Sequence, residues 1–152
     1  MASNAFTSAG TTIRVTATAP ATYDEAGFDA VSDWSLIGEV TDLGEFGREY
    51  ALVTHNPLAT RRTVKRKGSF NDGQVAMQLA IDGDDAGQGV LELAVDDDDG
   101  YFFEITLQTG RKLYFEAIVM SFTTNVGSVD QITSAGVMVE ITNDIIVDDP
   151  AS

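Results

Sequence analysis

The amino-acid sequence predicts a mainly β domain with one flanking helix, arranged as a sandwich or a small barrel. Three observations support this prediction. Hydrophobic side chains alternate with a period of two in five segments, one segment has helical spacing, and a length of 152 residues suits a single domain. Hydrophobic residues make up 43% of the chain, which is enough for a packed core. We expect the β domain to span residues 11–142, between an N-terminal arm (1–10) and a C-terminal arm (143–152).

The five strand-like segments each place apolar residues on one side and polar residues on the other, as half-buried strands do. They are Thr11–Thr18, Gln74–Ile81, Tyr101–Gln108, Lys112–Phe122 and Ala135–Thr142. Two further segments, Trp34–Val40 and Arg48–Thr54, are shorter and follow the pattern less closely. Their number and order indicate that the sheet dominates the fold.

The one predicted helix follows Asp84 and Asp85, either of which can cap its first turn. Apolar residues recur at helical spacing from Ala86 to Ala94. Two glycines inside this stretch weaken the helix, so we expect it to depend on packing against the sheet. The acidic run Asp96–Asp99 ends it.

The turn between the third and fourth strand segments determines how these strands pair. A two-residue turn would pair Phe103 with Glu116 and place a charge in the core. A three-residue loop with Gly110 in the left-handed conformation pairs Phe103 with Phe115 and keeps one face apolar. The same register places Glu104 and Glu116 together on the opposite face, which we expect to be acidic and open to water.

The composition excludes several classes of function. The chain has 24 acidic and 9 basic residues, a formal charge of −15, so its whole surface cannot clamp nucleic acid or dock on an anionic membrane. It has no cysteine and a single histidine, His55, so neither a thiolate site nor a multi-histidine metal centre can form within one chain. The N-terminus lacks the pattern of a secretory signal and no apolar run is long enough to span a membrane, so we expect a product of the cytoplasm.

No catalytic arrangement is recognisable, and we expect no enzyme activity, no cofactor and no metal. His55 has no nucleophile in a known motif and is more simply a structural residue. The run Asp96–Asp99 with Gly100 resembles a calcium loop in composition only. Val95 stands where an earlier ligand is required, and Thr106 replaces the glutamate expected after the glycine.

The basic residues are concentrated in one short segment. Five of the nine lie within residues 61–67, which leaves 4 basic against 24 acidic residues, or −20, on the rest of the chain. We expect Gly47–Gly68 to form a long loop or a projecting hairpin, because Asn56-Pro57 and Gly68 bracket the basic run. A loop of this size in a compact domain is usually functional. It could be a solvated loop, a nucleic-acid contact or a self-assembly contact. A +5 patch on a −20 body complements other copies of the same chain and would give closed rings or open stacks.

Several blocks of the sequence resemble one known family. They are residues 34–50 (WSLIGEVTDLGEFGREY), 55–70 (HNPLATRRTVKRKGSF), 82–87 (DGDDAG) and 121–130 (SFTTNVGSVD). These blocks are similar to those of the major tail tube proteins of long-tailed, non-contractile bacteriophages, the lambda-like tail tubes. The resemblance covers most of the chain from Gly10 to Asp144.

The resemblance implies a tail-tube-type β-sandwich or barrel whose copies form hexameric rings stacked into a hollow tube in the virion. The tube would be assembled in the bacterial cytoplasm around a tape-measure protein, joined by tail terminator and distal tail proteins, and DNA would pass through it without specific binding. The projecting loop 47–68 would reach the next ring. Its predicted contacts are Arg48, Arg61, Arg62, Lys65, Arg66 and Lys67. Because a DNA conduit must not bind phosphate, Glu104 and Glu116 are the predicted lumen-facing residues.

Three alternatives remain open. The same tube fold serves contractile tails and type VI-like secretion machines. A carbohydrate-binding β-sandwich would require aromatic residues clustered on exposed loops, whereas most of them fall in strand-like patterns here. An enzyme that uses a pair of carboxylates is the weakest alternative, because 24 acidic residues make chance pairs inevitable.

Overall fold

A computed structural model describes residues 3–150 and shows a mainly β fold, as predicted. The described part forms ten strands and two helices. In chain order these are β1 (Thr12–Thr16), α1 (Glu25–Asp29), β2 (Ser35–Leu36), β3 (Val40–Asp42), β4 (Glu49–His55), β5 (Val64–Asn71), β6 (Gln74–Ala80), α2 (Ala86–Val95), β7 (Tyr101–Thr106), β8 (Lys112–Asn125), β9 (Ser134–Ile141) and β10 (Ile146–Asp148). The outermost residues of the two predicted arms, 1–2 and 151–152, lie outside the described residues.

Eight strands form one curled sheet that resembles half a barrel, in the order β2-β1-β7-β8-β9-β6-β3, with β10 also paired to β8. The long strand β8 joins the two halves of this sheet. Its first residues pair with β7 on one edge and with β10 on the other, and its second half, from Ala117 to Asn125, pairs with β9. The remaining strands, β4 and β5, form a separate two-stranded sheet.

The main core lies on the sheet face that α2 covers. Leu91 and Ala94 of the helix are buried against alternate residues of the strands, including the stacked rings of Phe103 and Phe115. Gly87 allows this close approach, because a Cβ atom there would lie 2.3 Å from the Leu36 carbonyl oxygen. A glycine that weakens the helix in isolation is therefore required where the helix meets β2.

A smaller core lies on the opposite face of the sheet, beneath α1. Phe28 of this short helix is buried and stacks on Tyr114 at 4.8 Å between ring centroids, and Phe102 and Trp34 pack beside them. Burial raises the pKa of Tyr114, and the hydrogen bond from its hydroxyl to Asp29 raises it further. This face is thus a second packed layer rather than an open surface.

Most sequence predictions of local structure are confirmed. All five strand segments are strands, and α2 begins after Asp85, whose side chain accepts a hydrogen bond from the Gln88 amide at 2.9 Å. The hairpin has the predicted register, with Phe103 opposite Phe115 and a positive φ of 95° at Gly110.

Three elements differ from the predictions. The helix α1 was not predicted, because its five residues are too few to show a hydrophobic period. The segment Trp34–Val40 contains only the short strand β2 and the first residue of β3, and these two strands lie at opposite edges of the sheet. The C-terminal arm contains β10, which pairs with the start of β8, so part of this arm belongs to the domain.

Candidate assembly surface

The feature that stands out from the body is the hairpin of β4 and β5, residues 49–71, called the ribbon below. Within residues 3–150 its two strands pair only with each other, and side chains on both of its faces are exposed. The exposed side chains include Leu52, at 65%, and Leu58 at the tip, which is fully exposed. A free two-stranded hairpin is marginally stable in water, so a ribbon with uncovered apolar residues is a candidate contact surface.

Arg48 fixes the root of the ribbon to the body. Its Nε donates to Asp72 Oδ1 at 3.0 Å and its Nη2 to Asp144 Oδ1 at 2.5 Å, and its guanidinium lies over the Phe70 ring at 4.0 Å from the centroid. The hydrogen bond to Asp72 is the main cause of the raised pKa of Arg48. The predicted contact residue Arg48 therefore uses its charge within its own chain, where it orients the ribbon.

A short stack of aromatic and cationic groups continues from this root along one face of the ribbon. The Phe70 and Tyr50 rings lie 5.3 Å apart, and Lys67 Nζ lies 4.8 Å from the centroid of Tyr50. Next to this stack the pairing is irregular: Tyr50 faces Phe70 and Leu52 faces Lys67, so β5 has one extra residue, and Gly68 lies close to the Val53 side chain. Cation–π contacts at exposed sites contribute about 0.5–1 kcal/mol each, so the stack stiffens the root without covering its apolar surface.

The other predicted contact residues lie at the tip and the outer half of the ribbon. Arg61 and Arg62 are in the tip loop, whereas Lys65, Arg66 and Lys67 belong to β5, and all five are exposed. No carboxylate lies within 4.0 Å of any of them among the residues that the structure describes. The structure thus places these five cations on one projecting hairpin, and their role as contacts between copies stays a prediction.

Glu104 does not lie on an open face of the sheet, contrary to the prediction from the strand alternation. The residue is 2% exposed, and its Oε1 accepts hydrogen bonds from Arg14 Nε at 2.8 Å and Arg14 Nη2 at 2.5 Å. The expectation that its face is open to water is wrong because α1 and Trp34 cover this part of the sheet. Glu104 is a buried partner of Arg14 and cannot face a channel in this conformation of the chain.

Glu116 lies on the same face but nearer the edge of the covered region. It is half-buried, and its Oε1 is 3.4 Å from the side-chain nitrogen of Asn143. The hydroxyl of Tyr23 accepts a hydrogen bond from the Glu116 amide at 2.9 Å and donates to the Asp144 carbonyl at 2.6 Å. Burial raises the pKa of Tyr23 to about 12. This tyrosine ties the segment before β10 to β8.

A second charged surface lies on the outer side of α2 and the turn after it. It was not predicted as a contact surface. It consists of Glu92, Leu93 and Asp96–Asp99, all exposed, and is called the α2 surface below. Asp97 holds the turn in shape, since its carboxylate accepts hydrogen bonds from the Asp99 amide and the Tyr101 hydroxyl, both at 3.0 Å. One sequence signal could have revealed it: no basic residue occurs between Lys67 and Arg111.

Metal sites and membrane-spanning helices each have a recognisable pattern, which can be checked against the described residues. No group of three or more His, Cys, Asp or Glu side chains between residues 3 and 150 could hold a metal ion. His55 is exposed at the end of β4, opposite Val64. In the described part of the chain, none of the helices has the length and apolar character needed to cross a membrane.

Comparison with solved structures shows the fold over nearly the whole chain. One similar chain belongs to the six-fold symmetrised cryo-EM structure of the anti-feeding prophage (AFP) baseplate, with a TM-score of 0.71, 7% sequence identity and 98% of both chains covered. Another belongs to the cryo-EM structure of the PVC sheath/tube terminator of an extracellular contractile injection system in its extended state. It has a TM-score of 0.67, 8% identity, and coverage of 97% of this chain and 99% of that one.

No protein-family model matches the sequence, and no curated protein does. The chain has a tail-tube-like fold, as predicted. The two solved structures come from contractile systems, however, and do not point to the non-contractile family that the sequence blocks resemble.

Proposed function

We propose that this chain is a structural subunit in the tube or baseplate of a contractile, injection-type apparatus. The observation that carries the proposal is the likeness to the AFP baseplate chain, which extends over 98% of both chains. The proposal agrees with the alternative that the sequence analysis kept open, the tube of a contractile tail or a secretion machine.

The exposed ribbon supports self-assembly as the working mode of the subunit. The projecting hairpin is apolar and basic, whereas the body is acidic. The hairpin of one copy would therefore contact a different surface on the next copy, which makes the contacts head-to-tail. Such contacts close into rings or extend into stacks. Six copies per ring is our proposal by analogy with the six-fold symmetry of the AFP baseplate structure.

A second candidate is the tube of a non-contractile phage tail, which the blocks between residues 34 and 70 favour. In that setting the proposed partners are a tape-measure protein and the tail terminator and distal tail proteins, the site of action is the virion, and DNA passes through the lumen. The two candidates differ in one visible respect. Tubes of a contractile apparatus carry an outer sheath, so electron microscopy of intact particles labelled with an antibody to this chain would separate them.

Glu116 is the remaining candidate for a lumen residue, now that Glu104 is known to be buried. A lining of carboxylates would keep phosphate away from the wall of a channel. Tubes of a Glu116→Lys variant should form normally and retain polyanions that wild-type tubes release at the same salt concentration. Equal release by both would remove Glu116 from the lumen.

Negative-stain electron microscopy of the concentrated protein tests the proposed function directly. Rings or tubes are expected from the wild-type chain. A variant with Arg61, Arg62, Lys65, Arg66 and Lys67 replaced by glutamate should keep the same circular-dichroism spectrum but form no long tubes. Reversal of Arg111 and Lys112, which lie off the ribbon, is the control and should leave assembly intact. A wild-type chain that stays monomeric at high concentration, or a ribbon variant that forms long tubes, would contradict the proposal.

A further inference from the structure

We propose that the ribbon of one copy docks on the α2 surface of a second copy, with the cations of the ribbon facing Glu92 and Asp96–Asp99. This inference rests on the proposed self-assembly and names the two surfaces that meet. It follows from the charges that remain unpaired within the chain, from their geometry, and from the apolar residues that accompany them.

The charges of the two surfaces match in number and in sign. The ribbon carries five exposed cations, and the α2 surface carries five exposed carboxylates. Among residues 3–150 the cations of Arg14, Arg48 and Arg111 pair with carboxylates elsewhere in the body, whereas neither the ribbon tip nor the α2 surface contributes to any of these pairs. Complementary surface charges steer association and fix its register.

The ribbon does not satisfy this match within its own copy. Its strands pair only with each other in the described part of the chain, and no carboxylate lies within 4.0 Å of its tip cations. Seven residues in β4 at about 3.3 Å each carry the tip roughly 23 Å from the root, a length sufficient to reach a neighbouring molecule.

Apolar residues on both surfaces add to the charge match. Leu93 on the α2 surface is 74% exposed, between Glu92 and the acidic turn, and the ribbon exposes Leu52 and Leu58. A contact of Leu93 with either leucine would remove apolar area from water on both partners. The side chain of Asp97 orders the backbone of the acidic turn through two hydrogen bonds, so the turn has less conformational freedom to lose on binding.

A paired charge-swap experiment tests this contact. The ribbon variant carries Arg61→Glu, Arg62→Glu and Lys65→Glu, and the α2 variant carries Glu92→Lys, Asp96→Lys and Asp98→Lys. Each variant alone places like charges in the contact, and the concentration needed for tube formation should rise about tenfold or more. A mixture of the two should form tubes again, because acidic ribbons then meet basic α2 surfaces and basic ribbons meet acidic ones.

The control reverses three exposed carboxylates away from the contact, with Glu25→Lys, Glu45→Lys and Asp130→Lys, and should assemble like the wild type. Circular dichroism checks that each variant is folded. If the wild type forms no rings or tubes, the proposed function fails. If the wild type assembles but the α2 variant does so equally well, or the mixture stays unassembled, the ribbon docks elsewhere and only this inference fails.

Chemical cross-linking gives an independent measurement, because the chain has no cysteine of its own. An Arg61→Cys chain and an Asp98→Cys chain of different mass are mixed, assembled and treated with a short bismaleimide. A cross-linked heterodimer is expected, and it should be absent when Asp130→Cys replaces Asp98→Cys. Equal yields in the two mixtures would overturn the proposed contact.

Discussion

Replacement of Gly87 by alanine should destabilise the domain, although alanine is the better helix former by about 1 kcal/mol. The added Cβ would lie 2.3 Å from the Leu36 carbonyl oxygen and 2.7 Å from the Ile37 Cα. Both atoms belong to the backbone, so no side-chain rotation relieves the clash and α2 must move away from β2. Overpacking of this kind costs about 1–3 kcal/mol, and the shift also loosens Leu91 in the core. After the gain in helix propensity is subtracted, we expect a net loss of about 1–2 kcal/mol.

The matched control is Gly89, two residues further along the same helix. A Cβ atom at this position meets nothing within 4 Å, so Gly89→Ala should raise the free energy of unfolding by about 0.5–1 kcal/mol. Urea unfolding followed by circular dichroism measures the free energy of unfolding of both variants. In thermal unfolding, the midpoint temperature should shift by roughly 2–4 °C per kcal/mol. A Gly87→Ala variant at least as stable as the wild type would refute the close contact between α2 and β2.

The other predictions concern polar contacts. Arg14→Met leaves the carboxylate of Glu104 buried without its cation. The free energy of unfolding measured in urea should fall by about 2 kcal/mol, which is less than the loss expected for a fully buried ion pair because Arg14 is partly exposed. Arg14→Met combined with Glu104→Met should recover most of this loss, and no recovery would mean that the two residues act independently. Since the pKa of Tyr23 rises from 10 to about 12 on folding, the folded chain holds this proton after the unfolded chain has lost it, so stability should fall as pH rises through this range. Tyr23→Phe should flatten the fall, and an unchanged slope would contradict the assignment. Asp85→Ala removes the cap that binds the Gln88 amide and should cost about 1 kcal/mol in the same assay, whereas no change would make the cap dispensable.

The sequence predicted the parts of the fold in which local pattern and burial agree. Alternation located the five main strands, and the exclusion of a charge from the core selected the correct pairing of Phe103 with Phe115. The N-cap of α2 was equally predictable, because an aspartate directly before a helical pattern can accept a hydrogen bond from an amide of the first turn.

What could not be predicted depends on contacts between distant segments. Glu104 follows the alternation of an exposed residue, and only the arrival of Arg14 from β1 and the cover of α1 make it buried. Likewise, β10 has just three residues, and its pairing with β8 is a matter of topology rather than pattern. The basic cluster could be located, but the use of Arg48 at the root depends on Asp144, far along the chain.

The order of strands in the main sheet also has a consequence for how this chain is made. Ile13 of β1 is buried beside Ile105 of β7, and β7 in turn requires β8, so the first strand has no long partner until most of the chain has left the ribosome. Non-local pairing of this kind slows folding and leaves apolar strands exposed in the meantime. The growing chain is therefore most prone to aggregate before β7 and β8 are complete, and its yield in a cell should depend on chaperone capacity and on the rate of translation through residues 101–125.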